Sequence, residues 1–75
     1  SKGRADCVVH TDDTIYIFEF KLMNSGTPKE AIQQIKEKGY AEPYKTSGKK
    51  IVLIGAVFGD GIDEETAGTW EEEAL

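Results

Sequence analysis

The stretch Thr14-Ile15-Tyr16-Ile17-Phe18-Glu19-Phe20-Lys21-Leu22 decides how the rest of the chain is read. β-Branched and aromatic side chains dominate it, the composition of a strand. With period-two alternation, Tyr16, Phe18, Phe20 and Leu22 share one face, and Ile15 and Ile17 share the other. A strand apolar on both faces is expected to be covered on both sides and to lie inside its sheet. Glu19 and Lys21 interrupt the second face, and that interruption needs a cause.

Toward the N-terminus, residues 5–10 contain Cys7, Val8 and Val9 and read as a shorter strand, broken by Thr11, Asp12 and Asp13. The two strands are close enough for an antiparallel hairpin. If Asp12-Asp13 is a two-residue turn, Thr11 faces Thr14, and facing residues have numbers that sum to 25. Asp6 then faces Glu19 in a non-hydrogen-bonded pair, where side chains approach to ~5 Å. Lys21 joins the same face by alternation. A loop one residue longer or shorter would send Asp6 to the opposite face.

Toward the C-terminus, Asn24, Ser25 and Gly26 break the strand, and a helix start follows. Thr27 caps it, Pro28 suits the first helical position, and Glu30 completes a capping box. The pattern predicts a helix to about Ala41, with Ile32 and Ile35 packed on the sheet beside Ala31 and Gly39. Pro43 and the Ser47-Gly48 turn end that element and its continuation. The apolar run over residues 51–58 reads as a buried parallel strand closing a right-handed β-α-β crossover. Residues 59–75 are Gly-rich and acidic, with residues 69–73 expected as an edge strand anchored by Trp70. The expected fold is α/β, a mixed sheet in two or three layers.

Seventy-five residues make at most one small domain, a single one over residues 1–75 with its core in 3–58. A chain of this size buries only about 60% of its unfolded surface, so its stability is marginal. One cysteine excludes an internal disulfide and fits a reducing, cytoplasmic setting. No apolar run reaches the roughly 18 residues of a membrane span, and no signal-peptide pattern opens the chain. The absence of an initiator Met reads as a piece cut from a longer protein. The net charge is −5, divided into +2 over residues 1–50 and −7 over residues 51–75. The body lacks the basic stripe that strong non-specific DNA binding requires.

Two carboxylates set opposite one another repel, and a divalent cation relieves that repulsion. Oxygen ligands of this kind suit Mg²⁺ or Mn²⁺, with a backbone carbonyl near Phe20 as a further ligand. A cation there would polarise a phosphoryl oxygen and acidify a bound water. Lys21 would orient that water or stabilise charge developing on the phosphate. Against this, a Glu-x-Lys pair on a strand is more commonly a surface ion pair, and Asp6 alone is a solvated strand-start residue. Asp12 and Asp13 are turn residues, His10 a surface residue and Cys7 a small core residue without partner spacing for zinc. Trp70 is expected to cover apolar surface rather than stack on a base.

The strings Gly3-Arg4-Ala5-Asp6 and Ile17-Phe18-Glu19-Phe20-Lys21, followed by Gln34-Ile35 and Gly39-Tyr40-Ala41-Glu42-Pro43-Tyr44, resemble the PD-(D/E)XK nuclease superfamily. The likeness covers residues 3–58 and is closest to nuclease-like domains that follow an AAA-ATPase-like module in bacterial proteins. The resemblance implies a restriction-endonuclease-like core and metal-dependent phosphodiester hydrolysis in nucleic acid, DNA foremost. It implies Asp6 and Glu19 as metal ligands, Lys21 as the catalytic lysine and Gln34 as an auxiliary residue. Lys38 or Tyr40 would lie near the phosphate, and an ATPase-like domain of the same protein would be the partner. Two departures stand out: the helix that usually precedes the first strand is missing, and the charge balance is poor for DNA. They imply a fragment weakly active or inactive by itself, or, alternatively, a non-catalytic regulatory or interaction domain that retains the fold.

Overall fold

In a computed structural model, which describes residues 3–59 and 68–75, the stretch Thr14–Leu22 forms an inner strand, β2. Its neighbours are β1 (Cys7–His10) and β3 (Lys50–Phe58), and β4 (Gly68–Ala74) closes a four-stranded sheet of order β1-β2-β3-β4. β1 runs antiparallel to β2, β3 parallel to it, and β4 antiparallel to β3. The helix α1 (Pro28–Glu37) links β2 to β3 and packs on both. Among the described residues the fold is therefore a mixed α/β core of two layers, one sheet and one α-helix, consistent with a restriction-endonuclease-like core fragment.

The hairpin register is the one that the turn count predicts: Cys7 pairs with Phe18 and His10 with Ile15. The turn is held by the Thr11 amide, which donates to the Thr14 carbonyl at 2.8 Å, and by the Thr14 amide on Thr11 Oγ1 at 3.0 Å. Asp13 Oδ1 accepts from the Thr14 hydroxyl, so Asp13 is engaged within the turn. β1 begins at Cys7, not at residue 5, because the chain before it leaves the ladder.

The helix starts as its caps dictate. Thr27 Oγ1 accepts from the Glu30 amide at 3.1 Å, and Glu30 Oε1 accepts from the Thr27 amide at 2.8 Å. It ends at Glu37 rather than near Ala41. Gly39, at φ 70°, adopts the left-handed conformation that terminates helices. Its amide reaches the Lys36 carbonyl and the Tyr40 amide reaches that of Ile35, a Schellman closure. Ala41 is buried after all, but from the turn that follows, just before a 3₁₀ segment over Glu42–Tyr44.

Ile15 and Ile17 of β2, Ile51 and Leu53 of β3, and Ile32 and Ile35 of α1 make the core together with Ala41. Truncating any of these isoleucines to Ala is worth about 2–5 kcal/mol. The other sheet face does not match the expectation of a strand covered on both sides. Phe20 is 40% exposed, Leu22 67% and Phe58 46%, because among the described residues α1 covers one face only. Trp70 does not anchor β4: it is 67% exposed on that open face, opposite Ala56. β4 is held instead by its ladder to β3 and by an ion pair between Lys36 and Glu73. Part of the acidic segment thus belongs to the sheet, while its residues 60–67 lie outside the described residues. No helix among the described residues is long and apolar enough to cross a membrane.

Candidate active site

β2 outlasts β1. The β1–β2 ladder stops at Cys7 and Phe18, whereas β2 continues to Leu22. Where the next ladder bond would fall, Asp6 Oδ2 accepts from the Phe20 amide at 2.9 Å. A residue's amide and carbonyl look toward the same neighbour in a strand, so the Phe20 carbonyl faces the Asp6 edge too. The paired register ends at Cys7 and Phe18, and Asp6 follows just outside it, with its carboxylate close enough to act on Glu19, which lies on the face that carries α1.

Asp6 is exposed, while Glu19 is only 7% exposed. Glu19 Oε2 accepts from Gln34 Nε2 at 2.8 Å, and Lys21 Nζ donates to Gln34 Oε1 at 2.9 Å. One amide thereby joins the carboxylate to the ammonium, and only this orientation of the amide satisfies both. Gln34 reaches them from the second turn of α1, which the Thr27–Glu30 cap and the packing of Ile35 hold in place.

Glu19 Oε1 is buried and makes no hydrogen bond with a described residue. Leaving such an acceptor unpaired costs about 1–3 kcal/mol. Burial pushes the Glu19 pKa above its ordinary value and the Asp6 carboxylate pushes it further, against weaker opposition from Lys21, the Asp6 amide and Lys38. An orphaned buried carboxylate oxygen beside a second carboxylate fits a hard divalent cation. No cluster of three His, Cys, Asp or Glu side chains exists among the described residues. The donors at hand are the two carboxylates and the Phe20 carbonyl, a set that suits an ion keeping several waters, as Mg²⁺ does.

Lys38 and Tyr40 stand outside this chain of contacts. Lys38 is exposed between two clefts, one of ≈ 510 Å³ shared with Lys21 and Gln34 and one of ≈ 470 Å³ shared with Tyr40. Tyr40 is half-buried against the core. His10 is exposed and meets Tyr44 edge-on, with ring centroids 5.6 Å apart. Two participants were not foreseen. The Phe20 amide anchors Asp6, which no side-chain pattern announces. Gly55 lies opposite Glu19 in the β2–β3 register and admits the Pro28 carbonyl; its signal was a lone glycine inside an apolar strand.

The family model described as the PD-(D/E)XK nuclease superfamily matches residues 1–65. Among curated proteins, the chain is 41% identical over 58 residues to an uncharacterized protein in the vnfD 5′ region of Azotobacter chroococcum mcd 1. That match covers 77% of this chain and 11% of the relative, so the chain spans about a ninth of that protein's length. No solved structure matches. Nucleases of the matched superfamily generally use divalent metals and act on nucleic acid, in keeping with the oxygen donors gathered at the end of β2. With the mixed sheet, the hairpin register and this match in agreement, the chain belongs to the PD-(D/E)XK nuclease superfamily.

Proposed function

We propose that this domain hydrolyses phosphodiester bonds in nucleic acid, DNA foremost, with Mg²⁺ or Mn²⁺ held by Asp6, Glu19 and the Phe20 carbonyl. The observation that carries this reading is the buried, unpartnered Glu19 Oε1 beside Asp6. When bound, the cation supplies Lewis acidity toward a phosphoryl oxygen and acidifies a water. Lys21 presents a positive charge toward the phosphate and stabilises the negative charge that grows in the transition state. Gln34 holds the Lys21 ammonium and the Glu19 carboxylate at fixed separation, so that neither collapses onto the other as a simple ion pair. Lys38 or Tyr40 lies near a phosphate of the strand.

The test is a cleavage assay with Mg²⁺, Mn²⁺ or chelator on the protein and its Lys21→Ala variant. Metal-dependent cutting that disappears in the variant supports the reading. The net charge of −5 favours a second one: a regulatory or interaction module, working with an ATPase-like domain of a longer protein, that keeps the fold without cutting. Cation binding without cutting, in a protein that carries all its domains, would select that alternative. On the first reading, residues 1–75 alone are expected to cut weakly or not at all; on the second, no cutting is expected.

A further inference from the structure

The cleft of ≈ 470 Å³ beside the acidic pair runs between the approach to β1, at Arg4 and Ala5, and the turn after α1, at Lys38, Tyr40 and Tyr44. Its size lies within the roughly 300–1,000 Å³ of small-molecule sites. Although the chain is acidic, no carboxylate lines this cleft among the described residues, and two cations do. Arg4 and Lys38 are both exposed, and neither forms an ion pair with a described residue, whereas Lys36 and Lys45 do. Tyr40 and Tyr44 are half-buried, so each ring is braced by the core while part of it remains accessible. Ala5 precedes Asp6 directly, and Lys38 also lines the adjoining cleft with Lys21 and Gln34, the residues linked to Glu19, so the cleft opens beside the acidic pair.

We propose that this cleft is a subsite for one unpaired nucleotide flanking the scissile phosphate, with its base against Tyr44 and Tyr40 and its phosphate between Arg4 and Lys38. The inference rests on the nuclease reading for the identity of the ligand and adds a substrate class to it: single strands, frayed ends or flaps rather than intact duplex. Aromatic rings accept any base, because every base offers a π-face, and two free cations suit a phosphodiester. A cleft of this size, set between the approach to β1 and the turn after α1, takes a base only after it has left the helical stack.

The experiment is binding measured in chelator, so that cutting plays no part. The probes are labelled 12-nucleotide single strands of DNA and of RNA, the blunt duplex of the same sequence, and the DNA strand carrying abasic sites. The single strand is expected to bind more tightly than the duplex, and loss of its bases to weaken binding roughly tenfold. Tyr44→Leu, which keeps an apolar group against the core, should bind the normal strand as weakly as wild type binds the abasic one; Tyr44→Phe should restore it. Lys38→Gln should weaken both strands and lower the salt dependence by about one phosphate contact. Equal affinity for normal and abasic strands, tighter binding of duplex, or no binding of any probe overturns the proposal. Cleavage is read separately in Mn²⁺. Base preference without cleavage by the protein that carries all its domains keeps the subsite and removes the nuclease reading, and cleavage without base preference does the reverse. The DNA and RNA arms show whether the sugar is read.

Discussion

Gly55 and Pro28 meet backbone to backbone: a Cβ placed on Gly55 would lie 2.1 Å from the Pro28 carbonyl oxygen and 2.9 Å from the Ala31 Cβ. No side chain fits there, so the first turn of α1 rests directly on β3, at the rung that pairs Gly55 with Glu19. The depth of this contact sets the height of the helix above the sheet, and with it the reach of Gln34 toward Glu19 and Lys21. Gly55→Ala is expected to destabilise the protein by about 1–3 kcal/mol, as overpacking does. Urea denaturation checks this, and Gly55→Val should cost more.

Removal of charge at Glu19 is expected to leave the metal-free fold intact. Its burial and the Asp6 carboxylate both work against the ionised form, so Glu19→Gln should be as stable as wild type or more stable at neutral pH, in chelator. Asp6→Asn keeps an acceptor for the Phe20 amide and should also fold. Both variants should lose the rise in Tm that Mg²⁺ or Mn²⁺ gives the wild type. If both are instead less stable than wild type in chelator, the two acids serve the fold.

The pH dependence follows from the same residue. The folded protein binds the Glu19 proton more tightly than the unfolded chain, because the folded pKa lies above the ordinary value of 4.5. This group's penalty is absent below that value. It grows as the pH rises through the raised pKa and stays constant above it, so its effect is to lower stability as the pH increases. Denaturation of wild type and Glu19→Gln across this window, in chelator, should show a smaller loss with rising pH in the variant.

Lys21→Ala should abolish cleavage while changing nucleic-acid affinity little, because its charge matters most where negative charge develops. Gln34→Ala should act in the same direction but more mildly: it frees Lys21 and leaves a second Glu19 oxygen unpaired, so kcat should fall more than KM rises. Single-turnover kinetics with parallel binding measurements check both.

Local chemistry was enough to read much of this molecule from its residues. The Thr11–Thr14 turn count implied the hairpin register, since a side-chain period of two allows no compromise. Thr27, Pro28 and Glu30 marked the helix start through contacts within one turn. Glu19 and Lys21 could therefore be assigned to one face, where both meet Gln34. The helix end was legible in principle at Gly39, but the apolar spacing to Ala41 masked it, because burial reports contact with the core and not backbone conformation. Period-two alternation likewise identified the apolar face of Phe20 and Leu22 without saying whether anything covers it. Only the tertiary structure decided the remainder. The Gln34 amide joins Glu19 to Lys21, the Phe20 amide holds Asp6, and Gly55 seats the helix. These contacts bring together residues 13 to 15 positions apart, or, for Gly55 and Pro28, separate elements, at distances set by how deeply a helix settles on a sheet. That depth depends on the packing of every side chain between them, and no local pattern in the sequence encodes it.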